Sequence, residues 1–286
     1  MATPREIKLR IGAVEKIRKI ASALEVVSLT RLRRIETKTE KAGRYFDSIR
    51  ELAFDISNNL VYEAHPFLRA RPEEKIKRRA IIAVSSDKGL CGDFNTNITR
   101  EINLLLSEKN GAGLVVFAIG KKAGSFLRRK GLAPKAEYAS SSKDIDYMNV
   151  GSEIAAMVAD MFLKKDIDEA VIIYNRFKRQ FLGRPRRLRI LPLKIKGFSI
   201  KRVRDYMYEP GPYAVLDRLL MRYIANQIGQ VILESGAAEE MARMLAMKKA
   251  RDNAEEAIGA LNRTYHKQRQ MRITRELIDI ATAANA

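Results

Sequence analysis

Residues 5–34 read REIKLRIGAVEKIRKIASALEVVSLTRLRR, a stretch with no proline and one glycine, Gly12. The proline-free run continues to His65, with Gly43 as its only other glycine. Ile7, Ile11, Val14, Ala21, Ser28, Leu32 and Ile35 recur at helical steps and form one stripe. Ile17, Ile20, Leu24, Val27 and Arg31 follow a neighbouring track. Such a stripe suits a helix laid along a partner helix. At 1.5 Å per residue the helix would be about 80–90 Å long, far beyond a usual globular helix.

The opposite end behaves alike. Pro212 is the last proline. After it, Leu216, Leu220, Tyr223, Gln227, Val231 and Glu234 mark one seam. Ala250, Ala254, Ile258, Leu261, Tyr265, Ile273, Leu277 and Ile280 continue the apolar spacing. One unbroken helix would span about 100–110 Å. Gly229, Gly236 and Gly259 each weaken it by up to about 1 kcal/mol relative to alanine, and mark bends, breaks or close approaches. A helix this long needs its stripe covered, and the other terminal helix is the simplest cover. An intervening domain that returns the chain makes the pair antiparallel, with the longer C-terminal helix protruding.

Between them the period changes. The runs 80–85 (AIIAVS), 114–119 (LVVFAI) and 170–174 (AVIIY) are β-branched and short, with 187–192 as an edge strand and 135–140 as a further short one. Residues 94–107, 121–130 and 150–164 read as helices. This alternation predicts a Rossmann-like α/β domain. The whole is an α/β chain with a long antiparallel coiled coil of terminal helices. Its expected parts are 1–75 (first helix and linker), 76–195 (central α/β domain), 196–211 (basic return) and 212–286 (last helix).

Composition narrows the function. The chain has 286 residues, 46% of them hydrophobic, and a formal charge of +20. It is neither disordered nor equipped with an 18-residue uncharged apolar run, so direct transmembrane insertion is not expected. Its opening, MATPREIKLRIG, lacks the apolar core of a signal peptide. One Cys and two distant His argue against a zinc cluster, and a single Cys forms no internal disulfide. The segment 181–210 holds nine basic and two acidic residues, with Arg184, Arg186, Arg187 and Arg189 alternating. Arg31, Arg33 and Arg34 form a second cluster. These suit a solvated face, an acidic protein, anionic lipid or nucleic acid, but aromatics are few and no reading motif is present.

The most enzyme-like string is 85–92, SSDKGLCG, directly after the first strand. Asp87, Lys88 and Cys91 could imitate a metal ligand, a phosphate contact and a nucleophile. The glycine spacing matches neither a P-loop nor a dinucleotide fingerprint. In the structural reading Gly89 and Gly92 permit a tight turn and Cys91 packs as a small apolar group. No catalytic, cofactor-binding or metal site is expected. Residues 263–280, RTYHKQRQMRITRELIDI, differ in kind, with polar groups around most of a helix. Arg269, Gln270 and Thr274 share one sector, suited either to solvent or to a surrounding protein.

These same residues resemble the gamma subunit, the central rotor shaft, of bacterial F-type ATP synthases. The likeness covers essentially the whole chain. It rests on 5–34, on SSDKGLCGDFN (85–95), DYMYEP (205–210), EEMARMLAMKKARDN (239–253) and YHKQRQMRITRELIDI (265–280), in that order. The resemblance implies a non-catalytic subunit without cofactors. It implies a coiled coil turning inside the alpha3-beta3 ring, an epsilon subunit bound to the central domain, and a foot on the c-ring. It places Arg269, Gln270 and Thr274 at the beta-subunit catch loop. Leu24, Arg243, Ile278 and Ile280 become shaft contacts within the ring. Asp205, Tyr206, Tyr208 and Glu209 become the foot. Ser86, Asp87, Gly89, Cys91 and Gly92 become a structural loop. The implied location is the cytoplasmic face of the bacterial plasma membrane, peripheral, within the F1 sector. The sequence departs from the family at Leu24 and Val26, where methionines are usual, and at Ala21 and Ser22, where a lysine-bearing pair is typical. The rival readings are a basic coiled-coil protein that binds nucleic acid or an acidic partner, and an enzyme acting at 87–91.

Overall fold

The computed structural model describes residues 3–59, 65–69, 76–108, 113–140, 146–178, 181–193 and 207–284. Its elements run α1 (Pro4–Asn59), a short 3-10 turn (Pro66–Leu68), β1 (Arg79–Val84), α2 (Phe94–Glu108), β2 (Leu114–Ile119), α3 (Lys121–Arg129), β3 (Ala136–Tyr138), α4 (Tyr147–Leu163), β4 (Glu169–Lys178), β5 (Phe181–Leu191) and α5 (Pro212–Ala284). Helix α5 runs unbroken through Gly229, Gly236 and Gly259. Contacts divide the chain into two compact units, residues 31–242 and residues 1–30 with 243–286.

In the larger unit the sheet order is β3-β2-β1-β4-β5. β1, β2, β3 and β4 pair in parallel, and β5 returns antiparallel beside β4. The parallel order is that of one half of a doubly wound domain. Strand alternation sorts the apolar side chains. Ile81, Ala83, Val116, Ala118 and Ile173 face Ile98, Ile102 and Leu105 of α2 and Ala123 and Leu127 of α3. Ala80, Ile82, Val84, Phe117, Ile119, Ile172 and Tyr174 face a core built with Ile154, Ala155 and Val158 of α4. Phe46, Ile49, Ala53 and Ile56 of α1 and Leu220, Ile224 and Ile228 of α5 join that core. A β1 of RAIIAV is apolar along almost its whole length because both of its faces are covered.

The hairpin of β4 and β5 is longer than its apolar runs. Residues 175–186 are polar and basic, yet Tyr174 pairs with Arg186 and Phe177 with Leu182. Pro185 sits opposite Asn175 in β5, where an edge strand tolerates a missing N–H. Asp146 caps α4 by accepting the N–H groups of Met148 and Asn149 at 3.1 and 3.2 Å.

Within this unit α1 and α5 run antiparallel. Phe46 stacks on Tyr223 with centroids 5.3 Å apart. Nearer the start of α1, Ile35 lies against Gly236 and Arg31 approaches Glu240 at 3.6 Å. In the smaller unit the same two helices are again antiparallel. Glu25 accepts a hydrogen bond from Arg251 at 2.7 Å, and Arg18 lies 3.8 Å from Glu255. The seam there is lined by Ile7, Ala21, Ser28, Met247 and Ala254, all buried. Small residues let the two backbones approach. The neighbouring track on α1 turns outward, with Ile17 56%, Ile20 61% and Val27 43% exposed.

Candidate functional site

Three surfaces were singled out by sequence, and the structure places each differently. The first is the end of α5. A partly covered track runs through Ala254, Ile258, Leu261, Tyr265 and Gln268, each one turn from the next. From Arg269 to Ala283 every residue is exposed. Arg269, Gln270 and Thr274 therefore stand on the uncovered segment of the helix. Thr274 donates its hydroxyl back to the Gln270 carbonyl at 3.0 Å, which leaves the hydroxyl oxygen free to accept. Arg272 pairs with Glu276 at 3.1 Å one turn on. Beyond them Leu277, Ile278 and Ile280 are 61%, 59% and 66% exposed. Apolar surface is thus left uncovered at this helix end.

Leu24 is half-buried on α1, and Arg243 is buried at 7% exposure. Arg243 thus turns into its own chain.

The second surface is the loop after β1, which is fully knitted into the fold. Ser85 gives its hydroxyl to the carbonyls of Ile119 and Gly120 at 3.2 Å and accepts the Ala123 N–H at 2.8 Å. Gly120 has φ 93°, and a Cβ there would lie 2.2 Å from the Ser85 carbonyl oxygen. Only glycine fits. Asp87 accepts the Lys121 N–H at 3.0 Å and the Ser140 N–H at 2.9 Å. Its carboxylate therefore fills the N-terminus of α3, where a doubly wound domain would otherwise receive an anion. Gly120, the residue preceding α3, has no capping side chain of its own, so Asp87 supplies the cap from 34 residues away.

Ser86, wholly buried, hydrogen-bonds Asn95, whose Nδ2 also points at the Cys91 Sγ at 3.2 Å. Cys91 packs with Phe94, Ala238 and Ala242. The arrangement ties β1, α2, α3 and α5 together and offers neither an activated nucleophile nor a free carboxylate pair. Gly92 adopts φ 54°, but the second left-handed residue is Leu90 at φ 62°, not Gly89. Among the described residues no group of three or more His, Cys, Asp or Glu could hold a metal ion.

The third surface is the one expected to form the foot. Tyr208 is half-buried against the larger core and Glu209 is exposed. Asp205 and Tyr206 lie outside the described residues, as do Lys194, Lys196, Lys201, Arg202 and Arg204. The basic strand is partly consumed within the fold. Arg187 pairs with Glu101, and Arg189 lies 3.9 Å from Glu169, which also holds Arg79. These arginines brace the sheet, which weakens their case as a phosphate-reading face.

The distant partner of His65 was not legible in the sequence. Its Nδ1 accepts the Phe67 N–H at 3.2 Å, so the ring proton sits on Nε2 and is given to Asp217 at 2.7 Å. The pairing anchors the 3-10 turn to the first turns of α5, 152 residues away. No local pattern signals it.

A family model described as ATP synthase matches residues 3–286. The gamma chain of Thiobacillus denitrificans ATP synthase is 36% identical over 292 residues, covering all of both chains. That of Chlorobaculum tepidum is 32% identical over 292 residues, covering 100% of this chain and 99% of its own. The fold matches a rotor chain of the Euglena gracilis mitochondrial ATP synthase with TM-score 0.67 at 17% identity, covering 94% of this chain and 98% of that one. It matches a central-stalk chain of the Tetrahymena thermophila enzyme with TM-score 0.62 at 21% identity, covering 81% and 99%. With the terminal helices, the five-stranded sheet and the whole length matched, the chain belongs to the ATP synthase gamma-chain family.

Proposed function

We infer that this chain is the rotor shaft of an F-type ATP synthase, a non-catalytic subunit that couples ion-driven rotation to the catalytic cycle. The observation that carries this is α5, a single helix of 73 residues within a full-length family match. Partial burial along α5 ends at Gln268, and every residue from Arg269 to Ala283 is exposed.

The chemistry of that segment changes around its circumference. Arg269, Gln270 and Thr274 present donors and acceptors, while Leu277, Ile278 and Ile280 present apolar surface. As such a helix turns, each surrounding subunit meets a different side in succession. A subunit with open and closed states is biased by whichever side it meets, which is coupling of binding equilibria at a distance. The proposed contacts are Arg269, Gln270 and Thr274 with a beta-subunit catch loop, and Leu24, Arg243, Ile278 and Ile280 with the inner wall of an alpha3-beta3 ring. The charge of +20 favours acidic loops as counterparts. In the larger unit Tyr208 and Glu209, with Asp205 and Tyr206, are the proposed foot on a c-ring, and the central α/β domain is the proposed seat of an epsilon subunit.

No described helix is long and apolar enough to cross a membrane. The proposed location is peripheral, on the cytoplasmic face of the plasma membrane. Reconstitution with alpha and beta subunits tests the reading. A stoichiometric complex whose ATP hydrolysis rotates a probe fixed to this chain supports it. An alpha/beta ring that neither retains this chain nor turns it overturns it.

A further inference from the structure

The imidazole of His65 is buried, and both of its nitrogens have fixed partners. Nδ1 accepts the Phe67 N–H at 3.2 Å and so caps the turn Pro66–Leu68. Nε2 gives its proton to Asp217 Oδ1 of α5 at 2.7 Å. The capped turn is itself held between layers. Phe67 is 3% exposed, and its ring lies 6.3 Å from that of Phe162 in α4. Its carbonyl accepts the Leu193 N–H, two residues past β5, at 2.7 Å. Of the groups packed here, α4 contributes the apolar Phe162, the segment after β5 an amide, and α5 the Asp217 carboxylate. Asp217 is the one charged or titratable group that meets the His65 ring among the described residues.

Only a neutral imidazole can do both tasks, because one nitrogen must accept while the other donates. In the imidazolium both nitrogens carry protons. A proton at Nδ1 would face the Phe67 N–H, donor against donor, and that covered amide would lose its acceptor. The bond to Asp217 survives protonation, since Nε2 keeps its proton and the carboxylate then meets a full positive charge. Asp217 is 69% exposed, so solvent screens that gain, whereas the lost cap lies under cover. We propose that His65 is a proton-operated joint: neutral, it ties the Pro66–Leu68 turn to α5, and protonated, it keeps α5 and releases the turn. The joint lies wholly within the larger unit and stands whether or not the chain turns inside a ring.

Hydrogen–deuterium exchange of the full-length chain tests it, following the peptide 65–69 with β1 amides as an internal control of folding. Histidine is the side chain that ordinarily changes charge between about pH 5 and 8. The second histidine, His266, belongs to the smaller unit. After correction for intrinsic rates, the wild-type peptide should open about threefold or more on going from about pH 8 to about pH 5, while β1 stays protected. His65→Asn keeps an acceptor at the cap and cannot titrate, so its peptide should stay protected at both pH values. His65→Gln places its amide nearer Asp217 and gives up the cap, and should be open about threefold or more at both. Nitrogen NMR of the imidazole at the higher pH reads the tautomer directly, and the Nε2–H form is expected. The Nδ1–H form, a wild-type peptide indifferent to pH, or a pH dependence that persists in His65→Asn overturns the proposal.

Discussion

Gly151 of α4 and Gly229 of α5 meet face to face. A Cβ built on Gly151 would lie 3.1 Å from the Gly229 nitrogen and 2.6 Å from the Ala225 carbonyl oxygen. A Cβ on Gly229 would lie 3.1 Å from the Tyr147 carbonyl oxygen. Two helices thus touch backbone to backbone, and α5 is docked on the central layer at a point where no side chain fits.

Gly151→Ala should therefore destabilise the chain, although alanine is the better helix former by about 1 kcal/mol. Pushing the helices apart costs about 1–3 kcal/mol. Gly229→Ala, with a looser contact, should cost less. Urea unfolding checks both, and a more stable Gly151→Ala chain would show that the contact is not tight.

Glu169 is 7% exposed between Arg79 and Arg189. Glu169→Leu leaves two half-buried guanidinium groups facing an apolar side chain. A loss of about 3–5 kcal/mol is expected, as for other buried pairs broken on one side. Chemical denaturation measures it; a loss below 1 kcal/mol, within the range of exposed pairs, would mean that water already screens the site.

Asp87→Ala should lower the melting temperature without changing chemistry, because Asp87 only accepts the Lys121 and Ser140 N–H groups. Each hydrogen bond to a charged group is worth about 1.5–3 kcal/mol. Cys91→Ala should leave ATP hydrolysis by a reconstituted complex intact. If Cys91→Ala abolished turnover in a fully assembled complex, the structural reading of the loop would fail.

On the bare end of α5, Arg269→Ala with Gln270→Ala should change stability by no more than about 0.5 kcal/mol, as exposed substitutions do. ATP-driven proton pumping, or assembly, should nevertheless weaken. A doubly substituted complex that pumps normally contradicts the proposed catch-loop contact.

Tyr174 is pushed up to about 12, first by burial and then by the Glu234 carboxylate. Tyr138 reaches about 12 through burial and Glu153. Both raise the folded pKa above the free value of 10.0, so their contribution is complete below pH 10 and is lost as pH rises through about 12. Tyr174→Phe should shift alkaline unfolding, followed by circular dichroism, to higher pH. No shift would place the tyrosine in contact with water.

Local periodicity determined much of this protein. The length of α1 and α5, their antiparallel seam through Ile7, Ala21, Ser28, Leu32 and Ile35, and the strands at 79–84 and 114–119 follow from spacings within a few residues. So does the polar sector at Arg269, Gln270 and Thr274, because the face of a helix is set by its own period. Tertiary structure decided what depends on a distant partner. The hairpin past Asn175 exists because β5 pairs with it, against a polar composition that reads as loop. Asp87 became a helix cap, Arg243 a buried cation and His65 an anchor for α5 only once residues tens to hundreds of positions away were brought beside them. Chain contacts of that range leave no local spacing, since the physical cause is the packing of layers and not the repeat of one element.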